Sequence, residues 1–435
     1  MELAPQVDPS AVVFASRRPG EAWFCFEQPA RDGFALATLG CAHAILARGE
    51  RRFAAAAQEW RDLAAGALAG DPSEPRAAGL VAVGGFAFAP DGADAPHWRG
   101  FAPASLTVPE VSLAREGGAV RLTISAAATP DDTADDLLSR LEHRLDELRQ
   151  LPLPLLDPSP TSRSRIFSTA PPEHYESAVA RAVERIRAGE LEKIVLAREV
   201  QVQSGTDHDP AAVFGVLRDA FGDCFVYCTG SGDAAFLGAS PELLVRREGM
   251  RATTVALAGS IRRSADPAVD AHLGEQLLSS SKDREEQAIV AHRIVRTLRP
   301  HAVWVAEAPE PAVVRVANIQ HLATPIRAQL ARPHSAIELA GVLHPTPAVG
   351  GEPFERAAAL IPALEGLDRG WYAGPIGWTD SNDDGEFCVA LRCALLRGGE
   401  ARCYAGVGVV RDSQPADELA ETEVKLGALL PVLAS

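Results

Sequence analysis

Two rhythms of apolar and polar positions alternate along this chain. Short apolar runs closed by Gly, Pro, Asn or Asp predict strands, and apolar residues three and four apart predict helices. HAILARGERRFAAAAQEWRDLAAGAL (His43–Leu68) has helix-forming composition, with Gly70-Asp71-Pro72 as its stop. AGLVAVGGFAFAP (Ala78–Pro90) predicts a buried strand, and its Gly84-Gly85 pair a bulge or a close backbone approach. VSLAREGGAVRLTISA predicts a hairpin turning at Gly117-Gly118, and Asp131–Leu151 an amphipathic helix with an acidic first turn. Leu151–Arg165, with prolines at 152, 154, 158 and 160, is the one linker-like stretch.

Beyond it, a helix from Pro171-Pro172 to Gly189 carries Tyr175, Val179, Val183 and Ile186 on one stripe. It feeds the strand EKIVLAREVQV, so Lys193 falls at a helix-to-strand junction. Strand-like CFVYCT, AAFLGAS and MRATTVALAG precede a long helical tract, Asp270–Leu298. Strands AVWVAEA and PAVVRVANIQHLATPI, helix SAIELAGVL, the loop HPTPAVGGEP and helix FERAAALIPAL follow. GWYAGPIGWTD, EFCVALRCALLR and ARCYAGVGVV predict three further strands before a last helix, DELAETEVKL (Asp417–Leu426). Strands in runs and helices in batches predict an α+β fold with antiparallel sheets, not a doubly wound one. No repeat of 20–50 residues interrupts this order.

With 435 residues, 47% hydrophobic and 23% charged, the chain has the makings of a large core. Its 42 Lys and Arg against 58 Asp and Glu leave a net charge of −16, which excludes a general nucleic-acid-binding surface. An anionic ligand has to be captured by a few local cations or by a metal. Seven cysteines without a C-x-x-C pair argue against a disulfide framework and against structural zinc. No apolar run approaches the ~20 residues of a membrane span and no signal-peptide pattern opens the chain, so a cytoplasmic protein is expected.

Several polar residues stand where apolar ones are expected. Lys193 precedes IVLA, and burial there disfavours the ammonium form, which suits a general base; the plainer reading is a lysine snorkelling from a strand end. Glu242, in FLGASPELLV, is either a carboxyl kept protonated by an apolar site or a first-turn carboxylate after an N-capping Ser240. Glu286, in SSSKDREEQAIV, falls on a helix and by itself reads as a surface residue. His321 reads as a satisfied core histidine. Arg392, inside FCVALRCALL, needs an anionic partner. Glu418, Glu421 and Lys425 share one face of the last helix, where Glu421 and Lys425 also have the spacing of an ordinary i,i+4 pair.

EKIVLAR, FLGASPELL, ALAGS, KDREE, QHLAT, LHPTPAVGG, DRGWYAGPIGW, ALRCALL and AGVGVV…ADELAETEVKL occur together, in the order found in chorismate-utilising enzymes. The chain resembles the isochorismate synthases of that anthranilate synthase component I-like family over about residues 166–430. GGFAF (Gly84–Phe88) extends the resemblance weakly toward the N-terminus. It implies one α+β fold over residues 1–435: two antiparallel sheets packed as a sandwich with helices outside. Residues 1–165 are then an N-terminal scaffold part and 166–435 the chorismate-binding part, which demotes the linker.

The same resemblance implies a Mg²⁺-dependent, reversible conversion of chorismate to isochorismate. Lys193 would activate the water that attacks C2, and Glu242 would protonate the departing C4 hydroxyl. Glu286 and Glu421 would hold Mg²⁺, supported by Glu418. Arg392 and the backbone around Gly406 would take the enolpyruvyl carboxylate. Lys425 would lie beside the metal end, and Ala258, Gly259, His321 and Ala348 would complete the pocket. One departure is Gln287 in place of the family's usual histidine; it hydrogen-bonds but does not titrate.

The rival readings are a salicylate synthase, which goes on to eliminate pyruvate, and an ammonia-adding anthranilate or aminodeoxychorismate synthase component. PAVGGEP, where the ammonia-adding relatives tend to carry a G-A-P-K-like signature, argues against the latter and against a glutaminase subunit. A catalytically dead binding module on the same fold is a further class, opposed by Lys193, Glu242, Glu286 and Glu421 standing together. A monomer is expected, supplying menaquinone or siderophore synthesis.

Overall fold

The computed structural model describes residues 1–68, 75–157, 164–316 and 318–434, and all strand pairings among them are antiparallel. The hairpin at Gly117-Gly118 forms as expected, joining strands Val111–Glu116 and Ala119–Ile124. Both glycines take positive φ, 57° and 87°, the backbone that a two-residue hairpin turn requires. The strand Val81–Phe86 runs straight through Gly84-Gly85. At Gly84 (φ 147°) a Cβ would collide with the Ser105 carbonyl of the neighbouring strand, so the glycine does mark a close backbone approach.

Twelve described strands make one sheet and ten make a second. The larger sheet passes from Glu2–Leu3 through Phe34–Leu39 and Trp23–Gln28 to Phe225–Ser231 and Ala234–Ser240. It continues through Cys393–Arg397 and Glu400–Val409 to Lys193–Gln203. The smaller sheet joins Ala302–Glu307, Ile319–Leu330, Arg251–Arg262 and Leu243–Glu248 to Gly385–Val389, Pro375–Asp380, Val81–Phe86 and Ala104–Val108. Strands from before and after the proline-rich stretch therefore share both sheets. Part of that stretch, residues 158–163, and the expected stop at Gly70-Asp71-Pro72 lie outside the described residues.

Side chains of both sheets meet in an aromatic core: Phe86 lies between Phe53 (centroids 4.2 Å apart) and Phe387, and Trp98 packs on Phe236 and Tyr404. Truncating such a ring to alanine costs about 3–5 kcal/mol. The helix Pro172–Arg187 buries the stripe its spacing predicts, Tyr175, Val179, Val183 and Ile186, and ends before Gly189 at φ 78°.

Four local expectations are corrected. His43–Ala47 is a strand, because its backbone pairs with Ala104–Val108; the helix begins only at Arg52 and runs to Gly66. The tract Asp270–Leu298 divides at Ser280, where one helix (Pro267–Ser279) closes and Ser280 caps the next (Ser281–Leu298) by accepting from Asp283 N–H. Glu242 is in no helix: it follows strand Ala234–Ser240 and precedes strand Leu243–Glu248. Arg392 is not within a strand but in a turn at φ 47°, between Gly385–Val389 and Cys393–Arg397.

The last two corrections have one cause. At Glu242 the chain leaves the larger sheet for the smaller one, and at Arg392 it returns. The two crossings lie side by side, since Val389 N–H donates to the Glu242 carbonyl and Ala239 N–H to that of Arg392. An apolar pattern continues through such a crossing because both sheets bury it, so periodicity alone gives no sign of the turn.

Candidate active site

The crossings open into a cleft between the sheets. Ten of the twelve residues singled out in the sequence line it: Glu242, Ala258, Gly259, Glu286, His321, Ala348, Arg392, Gly406, Glu421 and Lys425. Lys193 and Glu418 stand behind its wall.

Lys193 opens the strand Lys193–Gln203 and is fully buried, so it is no snorkelling strand-end lysine. Its Nζ lies 2.8 Å from Glu286 Oε1, and Glu286 is itself buried on the helix Ser281–Leu298. Gly408, on the neighbouring strand, makes room for the pair: a Cβ there would collide with Glu286 Oε1 and Lys193 Cε.

The helix Pro415–Leu426, followed by the short helix Leu430–Leu433, delivers the other two carboxylates. Glu421 Oε1 accepts from Ser260 Oγ at 2.5 Å and pairs with Lys425 Nζ at 2.7 Å. Burial works to raise the Glu421 carboxyl, but Lys425, Ser260 and Lys282 outweigh it and hold the group below its ordinary range. Lys425 also donates to the Gly406 carbonyl at 3.0 Å, tying the helix to the cleft wall. Glu418 is only 1% exposed and takes Lys282 Nζ at 2.7 Å; burial leaves its carboxyl raised.

Each carboxylate thus has its charge met by a lysine. Among the described residues, no three His, Cys, Asp or Glu side chains are grouped as a metal site, so Glu286, Glu418 and Glu421 do not form a three-ligand cage. Two carboxylates facing one cleft are nonetheless a donor set that suits Mg²⁺, which takes one or two carboxylates and keeps several waters. Glu418, behind the wall, fits a supporting position.

Glu242 and Arg392, from the two crossings, form a further part of the cleft wall. Burial is the largest influence on Glu242 and pushes its carboxyl up to about 7, against the smaller opposing pull of Lys193, Arg392, Lys425 and a hydrogen bond with Thr346. It is therefore substantially protonated near neutrality. Arg392 is 9% exposed, and no carboxylate pairs with it among the described residues. Its Nη2 meets His321 Nε2 at 3.2 Å, while His321 Nδ1 lies 3.1 Å from the Gly259 carbonyl. The guanidinium only donates and the carbonyl only accepts, so the imidazole carries its proton on Nδ1. Burial, then Arg392 and Lys425, depress His321 to about 3, so it is neutral. A neutral histidine and an unpaired buried arginine leave net positive charge on this wall, a condition an anion relieves.

Tyr372, Thr346, Ser260 and Lys282 belong to the site but were not picked out as single residues. The motifs DRGWYAGPIGW, LHPTPAVGG, ALAGS and KDREE contain them, and that membership was the only sign they gave. Gln287, in the departing position, donates to the Ala256 carbonyl (2.9 Å) and to Thr324 Oγ1 (3.0 Å), fastening its helix to the sheet.

The family model described as "Chorismate binding enzyme" matches residues 1–434. The salicylate biosynthesis isochorismate synthase of Pseudomonas aeruginosa is 41% identical over 94% of this chain and 84% of its own length. The isochorismate synthase MenF of Bacillus subtilis is 33% identical over 82% of this chain and 75% of its own. Among solved structures, the menaquinone-specific isochorismate synthase MenF of Escherichia coli superposes with a TM-score of 0.82 at 27% identity, covering 100% of this chain and 94% of its own.

Proposed function

The chain belongs to the chorismate-binding enzyme family, and from that premise we propose that it is an isochorismate synthase. It converts chorismate reversibly to isochorismate by adding water at C2 and releasing the C4 hydroxyl. The observation that carries this reading is the pairing, in one cleft, of a carboxyl protonated near neutrality with a buried arginine that has no carboxylate of its own. Chorismate is a dianion with a hydroxyl to lose, and the arginine and the protonated carboxyl answer those two features.

Glu242 is the general acid for the C4 hydroxyl, and Lys193 the base toward the attacking water. Arg392 binds a substrate carboxylate, with the Gly406 backbone beside it. Burial, Arg392 and Lys425 keep His321 neutral and the Gly259 carbonyl sets its tautomer, leaving Arg392 as the cation toward that carboxylate. Glu286 and Glu421 hold Mg²⁺, supported by Glu418; when bound, the ion offsets the charge of the ring carboxylate. Ala258, Gly259 and Ala348 shape the ring pocket. The enzyme works in the cytoplasm as a monomer without a glutaminase subunit, supplying menaquinone or siderophore synthesis. No described helix is long and apolar enough to cross a membrane.

Separating the products of chorismate with MgCl₂, with and without ammonium, tests the reading. Isochorismate alone is expected. Salicylate with pyruvate would assign the longer reaction, and an aminated product the ammonia-adding one. In parallel, Glu421→Gln keeps size and helix propensity while removing a charged oxygen ligand, so its Mg²⁺ activation curve should collapse or shift strongly to higher concentration. The variant also weakens the largely buried pair with Lys425, so the curve is measured well below its melting temperature. A wild-type Mg²⁺ curve for this variant would remove Glu421 from the metal site.

A further inference from the structure

The strand that begins at Lys193 has an incomplete edge. On one side it pairs continuously with Glu400–Val409, from Ile194 to Gln203. On the other side Gly351–Glu352 covers only Lys193 and Ile194, and Arg165–Ser168 covers only Val200–Gln203. Between these two short partners Val195 N–H still reaches the Gly350 carbonyl at 2.8 Å, but the Val195 carbonyl and Ala197 N–H face no strand. Unpaired backbone groups in a buried edge are costly.

A buried ion pair fills that gap. Glu365, the last residue of the helix Phe354–Glu365, and Arg369, four residues on in the loop that follows, have side chains 1% and 3% exposed. Glu365 Oε1 accepts from Ala197 N–H at 2.7 Å, and Arg369 Nη2 donates to the Val195 carbonyl at 2.9 Å. The two side chains therefore stand in for the missing strand. Arg369 Nη1 donates to the Val349 carbonyl at 2.8 Å, and Nε to Glu365 Oε2 at 3.0 Å. Its guanidinium also lies over the Phe88 ring and beside that of Tyr372, at 4.3 Å and 5.8 Å. Val195, Val349 and Tyr372 all line the cleft, as does Ala348 beside Val349.

We propose that Glu365 and Arg369 form a positioning clamp that sets the spacing between the Lys193 strand and the Ala348–Val349 rim. The inference rests on the role given to Lys193 above. One planar fork reaches Val195 on the strand and Val349 on the rim, so neither shifts without the other. The substrate carboxylates are assigned to Arg392, Lys425 and the metal end, none of which touches the clamp. Loosening the clamp should therefore disturb the reacting groups more than binding, and misplacements of about 1 Å cost on the order of 100-fold in rate.

Arg369→Lys tests this, since lysine keeps the charge for Glu365 but not the fork. Turnover per chorismate-binding site, counted by calorimetry and measured well below the melting temperature, should fall about 100-fold while KM stays within about threefold. Glu365→Gln, which retains an acceptor for Ala197 N–H, should lose less. Hydrogen exchange over residues 193–197 and 346–351 should quicken in Arg369→Lys. Unchanged kcat in folded Arg369→Lys, whatever its melting temperature, would overturn the proposal. If the wild-type protein does not convert chorismate, the functional reading fails and exchange alone decides: faster exchange in both segments supports the clamp, and wild-type exchange refutes it.

Discussion

Arg369 and Arg392 are 4% and 9% exposed, and both serve the same cleft, yet their surroundings are opposite. Below the cleft, burial works against the Arg369 cation, but Glu365 more than compensates and its proton is held more tightly than usual. Two backbone carbonyls complete its shell. In the cleft wall, burial depresses Arg392, and the groups that oppose it, Cys224 and Tyr372 first and then the more weakly acting Glu421 and Glu242, do not restore it. A neutral histidine is its hydrogen-bonding neighbour. A buried charge with every partner supplied by the protein is part of the scaffold; one left short of its counter-ion is waiting for a ligand.

The sharpest division the comparison makes is between chemistry and binding. Lys193→Ala and Glu242→Gln remove the proposed base and acid but neither carboxylate anchor. Each should lower turnover by about 10²–10⁴-fold or more, with calorimetric chorismate affinity close to wild type. Near-normal turnover in Lys193→Ala would return that residue to the scaffold.

Next come the arginines themselves. Arg369→Ala leaves Glu365 buried without its cation and should destabilise the fold by about 3–5 kcal/mol, read as a large drop in melting temperature. Arg392→Ala should leave the melting temperature unchanged or raised, and weaken chorismate binding by about 2–5 kcal/mol. The comparison fails if the two variants lose stability equally.

A pH dependence gives the smaller effect. The Glu242 carboxyl lies at about 7 in the folded protein, against 4.5 as its reference value. The folded state therefore holds the extra proton between these values. The stability it contributes is complete below about pH 4.5 and is lost as pH rises through 7, by up to about 3 kcal/mol. Glu242→Gln has no proton to lose there. Denaturant unfolding across this window should show a fall in wild-type stability that is absent in the variant. The kcat/KM of the wild-type protein should decline as pH rises through about 7, as the acid deprotonates in the folded protein.

Much of this was legible from residue types alone. Lys193, Glu242 and Arg392 announce themselves because a charged residue breaks an apolar run, and Glu421 because it shares a helix face with Glu418 and Lys425. Antiparallel sheets follow from runs of strands with Gly-Gly and Asn-Asp turns. What stayed hidden depends on long-range pairing. His43–Ala47 is a strand only because Ala104–Val108 lies beside it. Glu242 and Arg392 sit in crossings between sheets, which an unbroken apolar pattern does not reveal. Glu365 and Arg369 have the spacing of an ordinary exposed helix pair, and only their burial beneath the Lys193 strand gives them another role. Lys193 beside Glu286 and Lys282 beside Glu418 are likewise a matter of tertiary placement, whereas the Glu421–Lys425 pair follows from its spacing.

The central claim is that water enters at C2 while the C4 hydroxyl leaves. Turnover of chorismate in H₂¹⁸O with Mg²⁺, with the isochorismate isolated at low conversion and analysed by mass spectrometry and NMR, tests it most directly. The account predicts one ¹⁸O per isochorismate, located on C2. Isochorismate without label would mean that the hydroxyl migrates within the substrate, and would contradict the roles given to Lys193 and Glu242.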